Sequence, residues 1–188
     1  MRTLAFVLLI AMLSAFPSLA QTEPKHFAKD GLSFDYPATW QVSDQSTGQM
    51  QLIQLMRGDG YAEIRLRVPR ELLKTPEKET AAKKLFQDKY VEQFVDSLQQ
   101  AGLKPNRSEV NSDFAGGPAP GTSIRALLDR QPGGMDSYYR VVSDRFVNLS
   151  EIGSENDMKK SADAWDLLRS SLKIEAPAQP SSSPAKKP

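Results

Sequence analysis

The sequence predicts an α+β fold: a mostly antiparallel sheet of about six or seven strands packed with two main helices. Three observations carry this. Stretches with strand-like alternation are joined by short Gly-, Pro- and Asp-containing turns, which favours hairpins over crossover connections. Two segments, opening near Thr75 and Ser154, switch to apolar spacings of three and four. No internal repeat recurs at solenoid periods.

Taken in order, Phe27-Ala28-Lys29 precedes an Asp30-Gly31 turn, and Leu32, Phe34 and Tyr36 follow at period two before Pro37, a hairpin entrance. Trp40-Gln41-Val42 forms a short strand. Met50–Met56 and Tyr61–Val68 flank the turn-rich Arg57-Gly58-Asp59-Gly60 and should pair antiparallel. In the second, Ala62, Ile64, Leu66 and Val68 share one face and Tyr61, Glu63, Arg65 and Arg67 the other. Thr75-Pro76-Glu77 opens a helix with an N-cap, a proline at its first position and an early acid. Its expected buried stripe is Ala82, Leu85, Phe86, Phe94, Val95, Leu98 and Ala101, closed by Gly102. A weaker strand near Leu103–Val110 follows, then a stiff Gly/Pro loop at 116–121. Strands are expected at Thr122–Asp129, Ser137–Ser143 and Arg145–Ile152, with turns at Pro132-Gly133-Gly134 and Ser143-Asp144. Ser154 with Asp157 forms a capping-box variant for a second helix, burying Met158, Ala162, Trp165, Leu168 and Leu172.

The ends read differently. Arg2, the apolar run Leu4–Phe16 and the small residues up to Ala20 make residues 1–20 a secretory signal peptide, cleaved between Ala20 and Gln21. The thirteen-residue run reaches only about 20 Å as a helix, short of a bilayer core. Gln21 stands where a lipoprotein needs cysteine. Residues 21–26 read as a flexible lead-in, 27–174 as a single domain, and the Pro/Ser-rich segment 175–188 as a disordered tail.

Composition excludes several chemistries. With no cysteine there is no disulfide scaffold, thiol nucleophile or zinc ribbon, and with one histidine no multi-histidine metal site. Removing Arg2 leaves 23 basic against 23 acidic residues, so a basic nucleic-acid surface is not expected. A cysteine-free exported chain fits a bacterial periplasm better than a eukaryotic secretory route, and the sequons at Asn106 and Asn148 are read as chance.

Gly31-Leu32-Ser33-Phe34-Asp35-Tyr36-Pro37-Ala38-Thr39-Trp40 resembles the entrance signature of the PsbP-like superfamily, and Trp165–Ile174 resembles its closing helix and strand. The resemblance spans roughly residues 30–174 and is motif-like only at its two ends. It implies a PsbP-like sandwich and a non-enzymatic accessory or binding role, with Phe34 and Trp40 anchoring a hairpin and no catalytic residue in the signature.

No catalytic, cofactor or metal residue is assigned. His26 reads as solvated near a terminus, and Arg57-Gly58-Asp59 as a hairpin turn rather than a recognition tripeptide. The candidate binding surface is Tyr61, Arg65, Arg67, Arg125 and Arg140, guanidiniums that would suit carboxylate or phosphate groups if their strands converge. The simpler account of the same residues is an outward face solvated by long side chains and paired with Glu63 and Glu109. The leading expectation is an exported binding or accessory protein of the envelope, acting through its sheet face and the loops at 57–60 and 116–121, with another envelope or secreted protein as partner. No nucleic acid, cofactor or lasting membrane insertion is expected. Two alternatives stay open: a small carboxylate-based periplasmic hydrolase or lyase, and a structural subunit tethered by its tail.

Overall fold

The computed structural model describes residues 23–59, 61–128 and 130–175. The proposed signal peptide and nearly all of the proposed tail lie outside these residues. Ten strands and the helices follow one another as β1 (Lys25–Lys29), β2 (Leu32–Tyr36), β3 (Trp40–Asp44), β4 (Met50–Arg57) and β5 (Ala62–Pro69). Next come α1 (Pro76–Lys83), a π-helical turn (Lys84–Asp88) and α2 (Lys89–Gln100). Then follow β6 (Asn106–Phe114), β7 (Gly117–Leu128), β8 (Gln131–Val142), β9 (Arg145–Ser154), α3 (Glu155–Lys160), α4 (Ala162–Ser171) and β10 (Lys173–Ile174).

The strands build a seven-stranded sheet, ordered β3-β4-β5-β9-β8-β7-β6, and a three-stranded sheet, β1-β2-β10. Every pairing is antiparallel. The α+β expectation therefore holds, with the sheet at the upper end of the expected size and a small second sheet beside it. Register defines two faces of the large sheet. One carries Ile64, Leu66, Val147 and Leu149 and packs against Leu32 and Phe34 of β2, Ala164 and Leu168 of α4, and Leu172 just past that helix. The opposite face is covered by the α1–α2 helix through two smaller apolar clusters, Val91/Leu98/Ile124/Met135 and Leu73/Ala82/Phe146. The molecule is thus three layers: helix, large sheet, and a mixed layer of small sheet and α3–α4.

Several local expectations need correcting. The lead-in is not loose at Lys25 and His26: both belong to β1, where His26 Nδ1 lies 2.6 Å from Asp35 on β2. The chain stays docked as far as Glu175, whose amide donates to the Gly31 carbonyl at 2.7 Å. The Gly/Pro segment is not a connecting loop: Ala115-Gly116 is a two-residue turn with positive φ at both positions, and β7 resumes at Gly117. Pro118 and Pro120 are tolerated because β7 has only β6 as a ladder partner until Gly121, where pairing with β8 begins. Pro132-Gly133-Gly134 is not a turn either; the reversal comes earlier, with Arg130 at φ 67°. Gly134 lies inside β8 because a Cβ there would sit 1.8 Å from the Ile124 carbonyl oxygen.

The helices also depart from simple periodicity. The π-turn inserts an extra residue between α1 and α2 and shifts the phase, so Leu85 is exposed while Gln87 faces the sheet. Ser161 breaks the second helix, and Ala164 rather than Ala162 enters the core.

Candidate functional site

Strand β9 is the centre of the sheet and is buried continuously from Arg145 to Glu151. A strand so placed normally reads as a run of aliphatic residues. Here Arg145, Asn148, Ser150 and Glu151 are buried with them, so two polar arrangements form, one on each face.

On the helix-covered face, Asn148 lies opposite Arg67 and Tyr139, and Ser150 opposite Arg65 and Ser137. Gln87, turned inward by the π-turn, closes a buried network. Its amide nitrogen donates to the Ser137 carbonyl at 3.1 Å, and its oxygen accepts from Ser137 Oγ at 3.1 Å and Asn148 Nδ2 at 2.6 Å. Arg67 stacks 4.2 Å from the Tyr90 ring, and the Tyr90 hydroxyl lies 3.5 Å from Arg65 and 3.4 Å from Ser150. Arg65 is further paired with Glu63.

This seam opens sideways into a cleft of about 250 Å³ between the π-turn and strands β6–β8. Its walls include Lys83, Gln87, Asp88, Arg107, Glu109, Asn111, Thr122 and Tyr139. Lys83 pairs with Asp88 at 2.9 Å and lies 5.6 Å from the Tyr139 ring centre, while Arg107 reaches Glu92. The cleft therefore offers both signs of charge, amide and hydroxyl groups and one aromatic face, a lining suited to a polar ligand or peptide segment.

On the other face, Asp136 and Glu151 are directly opposite each other in the β8–β9 register. Arg125 donates to Asp136 at 2.7 Å and approaches Glu155 at 3.8 Å. Asp136 Oδ1 and Glu151 Oε1 are buried and accept no hydrogen bond among the described residues. Burial, reinforced by the neighbouring Asp136 charge, pushes the Glu151 carboxyl up to about 8, Arg125 opposing. Burial likewise pushes Tyr138 up to about 12; its ring lies 5.7 Å from Trp165.

The expected arginine surface is split by the sheet. Arg65 and Arg67 lie beneath the helix, whereas Arg125 and Arg140 lie on the α3–α4 face. Arg140 donates to the Phe114 and Ala115 carbonyls and so caps the β6–β7 turn; Gly117 leaves room for its guanidinium. Tyr61 is 70% exposed at the end of β5, away from these groups. Residues 57–59 and 116–121 sit at opposite ends of the sheet, Gly60 lying outside the described residues, and Arg57 is held by Asp59 and Asp157, both at 2.8 Å. Sequence reasoning missed the cleft and the two polar networks. The available signal was the string Arg145-Phe146-Val147-Asn148-Leu149-Ser150-Glu151, whose polar members become buried only when β9 is central.

Among the described residues, no group of three or more His, Cys, Asp or Glu side chains could hold a metal, and no helix is long and apolar enough to cross a membrane. Layer order and strand order define an antiparallel α+β class with a seven-stranded and a three-stranded sheet. No family model and no curated protein matches the sequence. Among solved structures, the solution structure of cyanobacterial PsbP (CyanoP) from Synechocystis sp. PCC 6803 is similar at a TM-score of 0.52 and 11% identity. The match covers 87% of this chain and 99% of that one. The protein has a PsbP-like fold.

Proposed function

We propose that the protein is an exported, non-enzymatic binding or accessory protein of the bacterial envelope, and that its binding site is the cleft beside the π-turn. The observation that carries this reading is the lining: Glu109, Asn111, Thr122 and Tyr139 make no side-chain hydrogen bond among the described residues, yet they converge on one recess with Lys83 and Asp88. Groups left free in a concave site are available to a partner. The fold supports an accessory role by analogy, and the signal-like residues 1–20 support export.

The test is a crosslinked pull-down from the native envelope with Thr122→Arg, which fills the cleft, and Asp163→Arg on exposed α4 as control. Loss of a captured partner only with Thr122→Arg, at an unchanged melting temperature, is the expected result; equal capture by both variants contradicts it. The Asp136–Glu151 pair favours a second reading, carboxylate-based hydrolysis, because a carboxyl titrating near neutrality suits proton transfer. That reading requires turnover that disappears in Glu151→Gln.

A further inference from the structure

The outermost strand β6 has β7 as its only ladder partner among the described residues, so its far side presents an edge without a strand partner, although Arg169 donates to the Asp113 carbonyl at 3.3 Å. It is nine residues long. Its sequence, Asn106-Arg107-Ser108-Glu109-Val110-Asn111-Ser112-Asp113-Phe114, contains neither the proline nor the lysine that commonly blunts an edge. At the opposite edge, β3 has only five residues.

The order of residues along β6 is self-complementary. In an antiparallel pairing about a two-fold axis through Val110, each Arg107 stands opposite Asp113 of the partner subunit. Ser108 stands opposite Ser112 of the partner subunit, and Glu109 opposite Asn111 of the partner subunit. The alternation of the strand points the Cβ atoms of Arg107, Glu109, Asn111 and Asp113 toward the helix-covered face, while the Asp113 carboxylate reaches round the edge to Arg169 of α4. Arg107 is already held by Glu92, and Asp113 by Arg169, each at 2.5 Å. Self-pairing brings each Arg107, held by Glu92 of α2, opposite Asp113 of the partner subunit, a contact formed twice by symmetry. Both central side chains remain open to it: Arg107 is 48% exposed and Asp113 76%.

We propose that two copies of this chain associate through β6, antiparallel and centred on Val110, extending the seven-stranded sheet across a two-fold axis. A second copy is the occupant because one strand supplies both halves of the charge pattern, as an isologous contact requires. Arg107, Glu109 and Asn111 also line the cleft, so the two proposals meet on β6; self-association of the purified chain with no other molecule present tests this one separately.

The chain has no cysteine of its own, so Val110→Cys can form a disulfide only between copies. Expressed as residues 1–188, this variant should give a disulfide-linked dimer at micromolar concentration, whereas Tyr61→Cys should not. Sedimentation should show the native protein as a dimer. Arg107→Asp should raise its dissociation constant at least about tenfold through two like-charge contacts, and adding Asp113→Arg should restore it. A native chain that stays monomeric, or a dimer neither crosslinked at 110 nor disturbed by Arg107→Asp, overturns the proposal.

Discussion

Burial holds the Glu151 carboxyl protonated up to about 8, and that single residue should shape the pH dependence of stability. Between its ordinary value of 4.5 and about 8, the native state keeps a proton that the unfolded chain has released. Stability contributed by Glu151 is therefore complete at the acidic end of this window and falls as pH rises through it, by on the order of 5 kcal/mol in total. Urea titrations should show a declining midpoint from pH 5 to 9, and Glu151→Gln should flatten the decline; an unchanged slope would remove Glu151 as its cause. Asp44 acts in the opposite sense. Hydrogen bonds from Lys29 and Ser46 hold it down to about 2, so its contribution is lost only as pH falls below 3.8. Gly134 tests a purely steric requirement: with a Cβ 1.8 Å from the Ile124 carbonyl oxygen, Gly134→Ala should cost roughly 3 kcal/mol or more by forcing β7 and β8 apart. A loss below about 1 kcal/mol would show that the hairpin yields easily.

The π-turn is the element on which the helix-side site depends, because it aims Gln87 at Ser137 and Asn148. Gln87→Leu keeps the volume but removes the side-chain donor to the Ser137 carbonyl and the acceptor for Ser137 Oγ, while Asn148 Nδ2 keeps Ser137 Oγ and the Tyr138 carbonyl, at a cost of about 1–3 kcal/mol by chemical denaturation. A change under 0.5 kcal/mol would mean that the network contributes little. How far the elements were legible follows from how local their causes are. Asp30-Gly31 and Ser143-Asp144 are turns by their own residue chemistry, and both are two-residue turns with positive φ. The helix start at Thr75 is equally local; its hydroxyl accepts from the Lys78 amide at 3.4 Å. Gly134 misled because its small size answers a neighbouring strand rather than a turn. Ala115-Gly116 was hidden by the prolines that follow it. The π-turn leaves little trace, since Leu85 and Phe86 fit the helical stripe until one extra residue rotates Leu85 outward. The arginine surface failed for a longer-range reason: β9 inserts between β5 and β8, and the register across it assigns Arg65 and Arg125 to opposite faces.

At the scale of the whole molecule, the apolar pattern settles the three layers, and the departures from that pattern in β9 settle where chemistry is possible. The sheet separates a helix-covered polar seam, continuous with an open cleft, from an acidic pair enclosed beneath α3–α4. The first is reached from solvent; in the second, Glu151 is only 7% exposed. This asymmetry is what makes binding at the cleft the stronger reading of a PsbP-like fold. The most direct measurement is site-specific photocrosslinking in the native host, with a photoreactive residue at Asn111 in the cleft, compared with one at Asp163 on α4. Crosslinks from position 111 to a defined partner other than a second copy of this chain, absent from position 163 and abolished by Thr122→Arg, are the expected result. Crosslinks arising only from position 163, or persisting from 111 when the cleft is filled, would contradict the assignment.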